Sequence, residues 1–494
     1  MTTMNWTPAK SFSALCIGAL LAACGGSSDD DPPVLPEETR AQDARQFTAD
    51  ATATTFAAMA AAPGDAVDMA ATSRWAGVLN GAGYRVEVPP NWNGRLVMYA
   101  HGYAGMGANL VVQNPSIRRY LIQNGYAWAA SSYSKNYYDV RAGVEDTNAL
   151  ALAFNRIAEQ NGRPLPAPAK TYITGHSMGG HVTAAAIEAE TLLTANHKKR
   201  YDGAVPMCGV MGDTVLFDTF AAMQLAAQAV AGVPNHPFTG WSEIEGQVRQ
   251  TLFATFPSQA TPGAQITPTP GAGERYLSVL ENLTGGERPM FDQAVQFGGS
   301  FPSAYGTFGG DGTINGILNK NVLDTRGVTY TVSGDLAATT ALNASVQTLT
   351  PQDNANRLRT DGLRWVPKAH GDIGVPVVSI HTLGDLFVPF NMQQVYQRRV
   401  AEKGNTQWLV QRAIRGASHC DFTIAEQVEA FSDMVAWETG GAKPAGDEVI
   451  TPAVVADPAY GCTFTRNERG TDESNATNNL RPVLAAQAPC TVLN

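Results

Sequence analysis

The sequence predicts an α/β protein: a mainly parallel sheet with helices on both faces, and a large, mostly helical cap inserted before the strand that leads to Asp385. Three observations predict it. Short continuous apolar runs alternate with helix-period stretches over residues 84–207 and again over 375–437, the pattern of strands buried on both faces between crossover helices. Met207 and Val375 are 168 positions apart, where a βαβ crossover takes roughly 30 residues, so the excess is an insertion. A glycine–serine turn at 175–179 stands between an apolar run and an alanine-rich one.

Taken in order, residues 1–23 read as an export signal. Lys10 gives a positive start, and residues 13–23 form an apolar stretch too short to span a bilayer. It ends in Leu21-Ala22-Ala23-Cys24-Gly25, which resembles the lipobox of bacterial lipoproteins. That resemblance implies cleavage before Cys24, a lipid on Cys24 and a membrane-held chain. Glycine rather than aspartate at position 25 implies the outer membrane of the envelope over the inner. Residues 24–62 are expected to be a flexible tether. Gly26 to about Glu38 is small, acidic and proline-bearing and has little apolar surface to bury, and the alanine-rich 42–62 has a helical composition.

The core is expected in two pieces, 63–209 and 368–494, with the cap at 210–367. Strands are expected at 94–100, 127–132, 171–174, 203–207, 375–381 and 407–412, with Pro206 at a strand end because it cannot donate to a ladder. Val144, Ala149, Leu150, Leu152, Ala153 and Ile157 set a helix over 141–159. An alanine-rich helix follows at 179–193. Cap helices are expected at 214–231, at 242–256 (opened by a capping box, Ser242 to Glu245) and at 274–283, with irregular structure over 298–360. A second box, Thr423 to Glu426, opens a helix to Trp437.

Gly175-His176-Ser177-Met178-Gly179 fits Gly-x-Ser-x-Gly. A sharp strand-to-helix turn holds such a serine in a strained backbone conformation, and glycines flank it because a Cβ would strike the neighbouring strand or helix. A serine hydroxyl needs a base, and the base needs an orienting carboxylate. Of eight histidines, only His419 falls in a loop between a late strand and a final helix. His381 ends the strand before the candidate acid, and His176 and His181 are expected to pack or face solvent. Asp385 follows that strand, 34 positions before His419, which leaves room for one helix and one strand. Asp421 lies on the wrong side of the sheet order.

Residues 95–103, 171–185, 375–390 and 407–426 resemble an α/β-hydrolase of the esterase and lipase type. The resemblance implies that Ser177 attacks, His419 moves the proton and Asp385 holds the imidazole. It also implies an oxyanion hole from the backbone N–H of Met178 and a second from the His101-Gly102-Tyr103 loop, Tyr103 or else Ala104. In that layout Cys208 and Cys420 share the carboxyl edge of the sheet, so we expect disulfides Cys208–Cys420 and Cys462–Cys490.

The expected function is hydrolysis of a carboxylic ester of unspecified size through an acyl-enzyme. An exported serine peptidase and a non-catalytic binding lipoprotein are the alternatives. Phe291, Phe297, Phe301, Tyr305 and Phe308 are candidates for an acyl pocket or for the cap's own core. No cofactor is expected, because no Gly-x-Gly-x-x-Gly follows a strand. No metal is expected either: His-Glu-x-x-His is absent, and residues 309–312 read as a turn. The net charge is −10 and the longest basic cluster is His197-Lys198-Lys199-Arg200, expected at a helix C-terminus, so nucleic acid is not an expected partner. Nothing in the pattern sets an oligomeric state.

Overall fold

The computed structural model describes residues 36–257, 265–297, 300–307 and 310–490. The export signal, Cys24, the start of the tether and Phe308 fall outside these residues.

Eight strands form one sheet. They are β1 (Ser73–Leu79), β2 (Ala82–Val88), β3 (Arg95–Ala100), β4 (Ala127–Ser131), β5 (Lys170–His176), β6 (Gly203–Met207), β7 (Val377–Thr382) and β8 (Leu409–Ile414). Their spatial order is β8-β7-β6-β5-β3-β4-β2-β1. From β4 to β8 every pairing is parallel, and β2 and β1 add an antiparallel edge. Every residue of β4, β6, β7 and β8 is buried, which is why these strands read as continuous apolar runs rather than as alternation. Pro206 is next to last in β6, opposite Gly175.

The helices that position the site are α1 (Val140–Gln160), α2 (Met178–Ala186), α3 (Val215–Val230), α4 (Trp241–Leu252), α5 (Ala272–Leu283), α6 (Phe301–Thr307), α7 (Asn391–Glu402), α8 (Ile424–Glu438) and α9 (Asn475–Gln487). The capping box at Thr423 forms, with the Thr423 N–H donating to Glu426 Oε2 at 2.8 Å. The one expected at Ser242 does not: α4 starts a residue earlier from Gly240, with no side-chain cap. It also stops at Leu252, because Phe253 leaves the helix to pack on Tyr276, Phe301 and Tyr305. The helix expected over 179–193 breaks at Glu188, whose buried carboxylate accepts the N–H groups of Gly371 and Asp372 at 2.8 and 3.0 Å. The short helix beyond the break ends at Thr194 with no basic residue in its last turn, so His197 to Arg200 do not cap it.

One further expectation is corrected. The tether does not extend to residue 62. Arg40 and Gln42 are buried and both donate to Asp139 Oδ2, at 2.7 and 3.1 Å, and Ala53 is fully buried. A few well-placed polar groups dock a segment whose average composition lacks apolar surface, and its helices are single turns, Ala41–Ala44 and Ala51–Thr54. The C-terminal region packs on the core as expected of residues 368–494. Arg481 on α9 is buried and donates to Glu426 Oε2 and to the Asp421 carbonyl, both at 2.6 Å. Among the described residues no helix is long and apolar enough to cross a membrane.

Candidate active site

Ser177 sits between β5 and α2 with φ 59° and ψ −123°, a conformation that costs an L-residue of order 1–3 kcal/mol. The glycines around it permit the turn. A Cβ on Gly179 would lie 2.0 Å from the Ala100 carbonyl oxygen, and one on Gly175 would lie 2.4 Å from the Gly179 oxygen. Both obstacles are backbone and cannot yield.

Asp385 follows β7, and His419 lies in the loop after β8. The Ser177 hydroxyl donates to His419 Nε2 at 2.8 Å, and His419 Nδ1–H donates to Asp385 Oδ2 at 2.6 Å. Asp385 is fully buried, and its Oδ1 accepts the N–H groups of Phe387 and Val388, both at 2.9 Å. Three residues far apart in sequence are thus one hydrogen-bonded chain at the carboxyl edge of the sheet.

The other nearby histidines have other hydrogen-bond partners, although His381 Nε2 lies 4.0 Å from Asp385 Oδ2 and His176 lines a cavity beside Ser177. His381 Nε2–H donates to the Val388 carbonyl at 2.7 Å, and Gln393 Nε2 donates to its Nδ1 at 3.2 Å; burial pushes its pKa down. His176 packs between Tyr99 and Gln427, and burial lowers its pKa to about 4. His181 bonds Tyr138 and the Pro367 carbonyl and is likewise pushed down by burial.

The His101 loop crosses the serine so closely that a Cβ on Gly102 would lie 3.3 Å from Ser177 Cβ. His101 stacks on Tyr133, ring centroids 4.0 Å apart, and its Nδ1 contacts the Gly102 carbonyl at 2.6 Å. The Tyr103 N–H has no protein acceptor among the described residues. Met178 opens α2, so its N–H has no acceptor within the helix. Both are available for a developing negative charge.

Cys208 pairs with Cys420, and Cys462 with Cys490. Cys208 follows β6, and Cys420 follows His419 directly, both in left-handed backbone (φ 42° and 55°). Cys208, His419 and Cys420 cluster as metal ligands might, but a disulfide has no thiolate to offer a metal.

Ser177 is 8% exposed and lies between two cavities. One, about 500 Å³, is shared with Tyr103, Tyr138, Phe217, Phe220 and Asp311. The other, about 470 Å³, is shared with Gln113, Ser303, Ser418 and His419. Tyr103 and Phe387 border both. Of the cap aromatics expected as pocket candidates, Phe291, Phe297, Phe301 and Tyr305 are buried, and none lines either cavity beside the serine. Sequence reasoning missed Phe217 and Phe220, which lie on a helix it did place. It also missed Arg288, a buried guanidinium lowered by burial to about 10 whose charge Glu281 and Asp385 favour. Arg288 Nε donates to the Leu383 carbonyl at 2.8 Å and so holds the turn leading to the acid.

No protein-family profile matches the sequence. A curated protein, o-phthalyl amidase of Xanthobacter agilis, is 23% identical over 417 residues, 72% of this chain and 85% of that protein. Similar solved structures include feruloyl esterase B from Aspergillus oryzae, with 16% identity, TM-score 0.38, and coverage of 76% of this chain and 82% of that one. Esterase 2 of Thermogutta terrifontis has 13% identity and TM-score 0.36, over 76% of this chain and 98% of that one. The acylaminoacyl peptidase of Pyrococcus horikoshii has 10% identity and TM-score 0.33, over 70% of this chain and 37% of the peptidase. The match thus spans little more than a third of that peptidase's length.

Proposed function

We propose, from the premise that the chain has the α/β-hydrolase fold, that it is a serine hydrolase cleaving carboxylic esters through an acyl-enzyme at Ser177. One observation carries this reading: the unbroken chain from the Ser177 hydroxyl through His419 to Asp385, at 2.8 and 2.6 Å, opening onto the two cavities.

In this reading Ser177 Oγ attacks the acyl carbon while His419 Nε2 takes the hydroxyl proton. Asp385 then faces an imidazolium, and its Oδ2 stabilises that charge without taking the proton. The carbonyl oxygen, now an oxyanion, receives the N–H groups of Met178 and Tyr103, each such donor worth ~2.7–4 kcal/mol in the transition state. As the tetrahedral intermediate collapses, His419 gives the proton to the leaving oxygen. The leaving group therefore lies in the cavity that His419 lines, and the acyl group in the one beyond Tyr103. Water repeats the sequence and releases the acid.

A fluorophosphonate probe tests the nucleophile: it should label Ser177 in the folded protein and leave Ser177→Ala unlabelled. Absence of labelling in folded wild-type protein would instead favour the binding-lipoprotein reading. Amide cleavage is the second reading, favoured by the similarity to an amidase. Turnover of p-nitrophenyl acyl esters against aminoacyl p-nitroanilides separates the two, with esters expected to dominate.

We also propose that the chain is exported and held in the envelope by a lipid on Cys24, outer membrane over inner. The two disulfides support an oxidising compartment. Mass spectrometry of the N-terminal peptide from envelope fractions tests it, and an unmodified Cys24 in the mature chain would overturn it.

A further inference from the structure

Seven rings line the cavity beyond Tyr103 among aliphatic and small polar residues, and Asp311 is the one carboxylate in its lining. Asp311 lines it together with Ser177, Tyr137, Tyr138 and Phe217. The loop that carries Asp311 is built in. A Cβ on Gly316 would lie 2.4 Å from Asp311 Cα, and Ile317 N–H reaches the Asp311 carbonyl at 3.4 Å. The docked N-terminal segment holds the same loop. Arg45 donates to the carbonyls of Gly316 and Asn315 at 2.7 and 3.0 Å, and Arg40 to that of Ile317 at 3.3 Å.

The Asp311 carboxylate itself has no hydrogen bond or ion pair among the described residues. Arg45 is close enough to draw its pKa down, but its guanidinium stacks on Tyr137 at 3.8 Å and bonds Gln42 and the loop carbonyls. Burial raises the carboxyl to about 6, so it is mostly ionised at neutral pH. Burial raises the hydroxyl pKa values of Tyr103 and Tyr138, and the Asp311 charge adds to both, after that of Asp213 for Tyr138, which places Asp311 among the cavity's rings. Asp311 is only partly buried, so water meets its carboxylate in the free protein; a bound group that displaces this water must supply a donor in its place, because the described residues supply none. The rings offer faces and edges to a flat acyl group.

We propose that Asp311 is a specificity-determining residue that accepts a hydrogen bond from an O–H or N–H group at the far end of an aromatic acyl group bound beside Ser177. The proposal rests on reading that cavity as the acyl side of a hydrolase site. A neutral hydroxyl and an ammonium share this chemistry, and the test separates them.

In the Ser177→Ala protein, calorimetry compares methyl benzoate, methyl 4-hydroxybenzoate and methyl 4-(aminomethyl)benzoate, none of which is then consumed. At least one donor-bearing ester should bind ~10–100-fold more tightly than methyl benzoate, the range of a charge-assisted hydrogen bond. Adding Asp311→Leu should abolish that preference. Adding the near-isosteric Asp311→Asn should abolish an ammonium preference and leave part of a hydroxyl preference. Equal binding of all three esters, or a preference that survives both Asp311 substitutions, overturns the proposal. Labelling of Ser177 in wild-type protein by the fluorophosphonate reports separately on the hydrolase reading, so either idea can fail while the other stands.

Discussion

Replacing Asp385 by asparagine changes one atom and tests the whole chain of bonds behind Ser177. Asp385 Oδ1 accepts two backbone N–H groups at 2.9 Å, and Oδ2 accepts His419 Nδ1–H at 2.6 Å. An asparagine keeps one oxygen and must choose where to put it. At the Oδ2 position it would preserve the imidazole bond and turn its NH₂ toward two buried donors, each unmet donor costing ~1–3 kcal/mol. At the Oδ1 position it keeps both backbone bonds and points its NH₂ at His419 Nδ1. One bond is then at risk instead of two, so this arrangement wins. His419 Nδ1 must then accept, the proton moves to Nε2, and the ring presents a donor to Ser177 where the reaction needs an acceptor. The wrong tautomer corresponds to a loss of ~10⁴ in kcat, or ~5.4 kcal/mol at 1.36 per decade. The assay is p-nitrophenyl acetate hydrolysis at neutral pH, with thermal melting as the control for folding. A folded Asp385→Asn enzyme that kept more than about a tenth of wild-type kcat/KM would refute the assignment of Asp385 as the orienting acid.

Gly179→Ala places a Cβ 2.0 Å from the Ala100 oxygen; we expect insoluble protein or a fold that no longer labels at Ser177, and full activity would contradict the elbow geometry. Removing the Cys208–Cys420 bridge by double serine substitution opens a loop of 212 residues, worth up to ~5 kcal/mol in the chain-entropy model. It should lower both the denaturant midpoint and kcat. The Cys462–Cys490 pair closes only 28 residues, up to ~3.5 kcal/mol in the same model, and its loss should leave kcat close to wild type; equal kcat losses in the two variants would refute a bracing role at His419. Burial lowers the His176 pKa from 6.5 to about 4, so the unfolded chain binds the proton more readily and stability falls as pH drops through that window. The effect is ~3 kcal/mol at 1.36 per unit, and urea unfolding of His176→Gln at both ends of the window should show a flatter dependence than wild type.

Much of the core was legible because its local chemistry is its cause. Gly175 is demanded by the backbone of Gly179 four residues on and Gly179 by the Ala100 backbone of the adjacent strand, both contacts that the strand-to-helix turn imposes on its own motif, and the order Ser177, Asp385, His419 follows from where strands end. The antiparallel edge has a local cause as well. Asn80 and Gly81 both take positive φ, 53° and 85°, the Asn-Gly signature of a tight hairpin between β1 and β2. Other features have no local cause. Arg40 and Gln42 are polar residues in a polar stretch until Asp139 is folded against them. Phe217 and Phe220 lie on a helix whose pattern shows a buried face but not that part of that face borders a cavity. Phe301 and Tyr305 looked equally eligible to line the pocket, and instead pack on Phe253 and Phe256. Which ring borders empty space is decided by long-range packing, and that is where reading from composition and period stops.

The bond from Cys208 to Cys420 spans 212 positions, so the entire cap, together with Asp385 and His419, hangs inside a closed covalent ring, while Ser177 sits on the arm just outside its clasp. A single cut anywhere in 210–367 opens that ring without dividing the molecule: the serine arm and the histidine arm stay stapled to one another. A nick there leaves Ser177 and His419 on one continuous covalent frame, whereas an exchanged insert would have to replace Arg288, which holds the turn before Asp385.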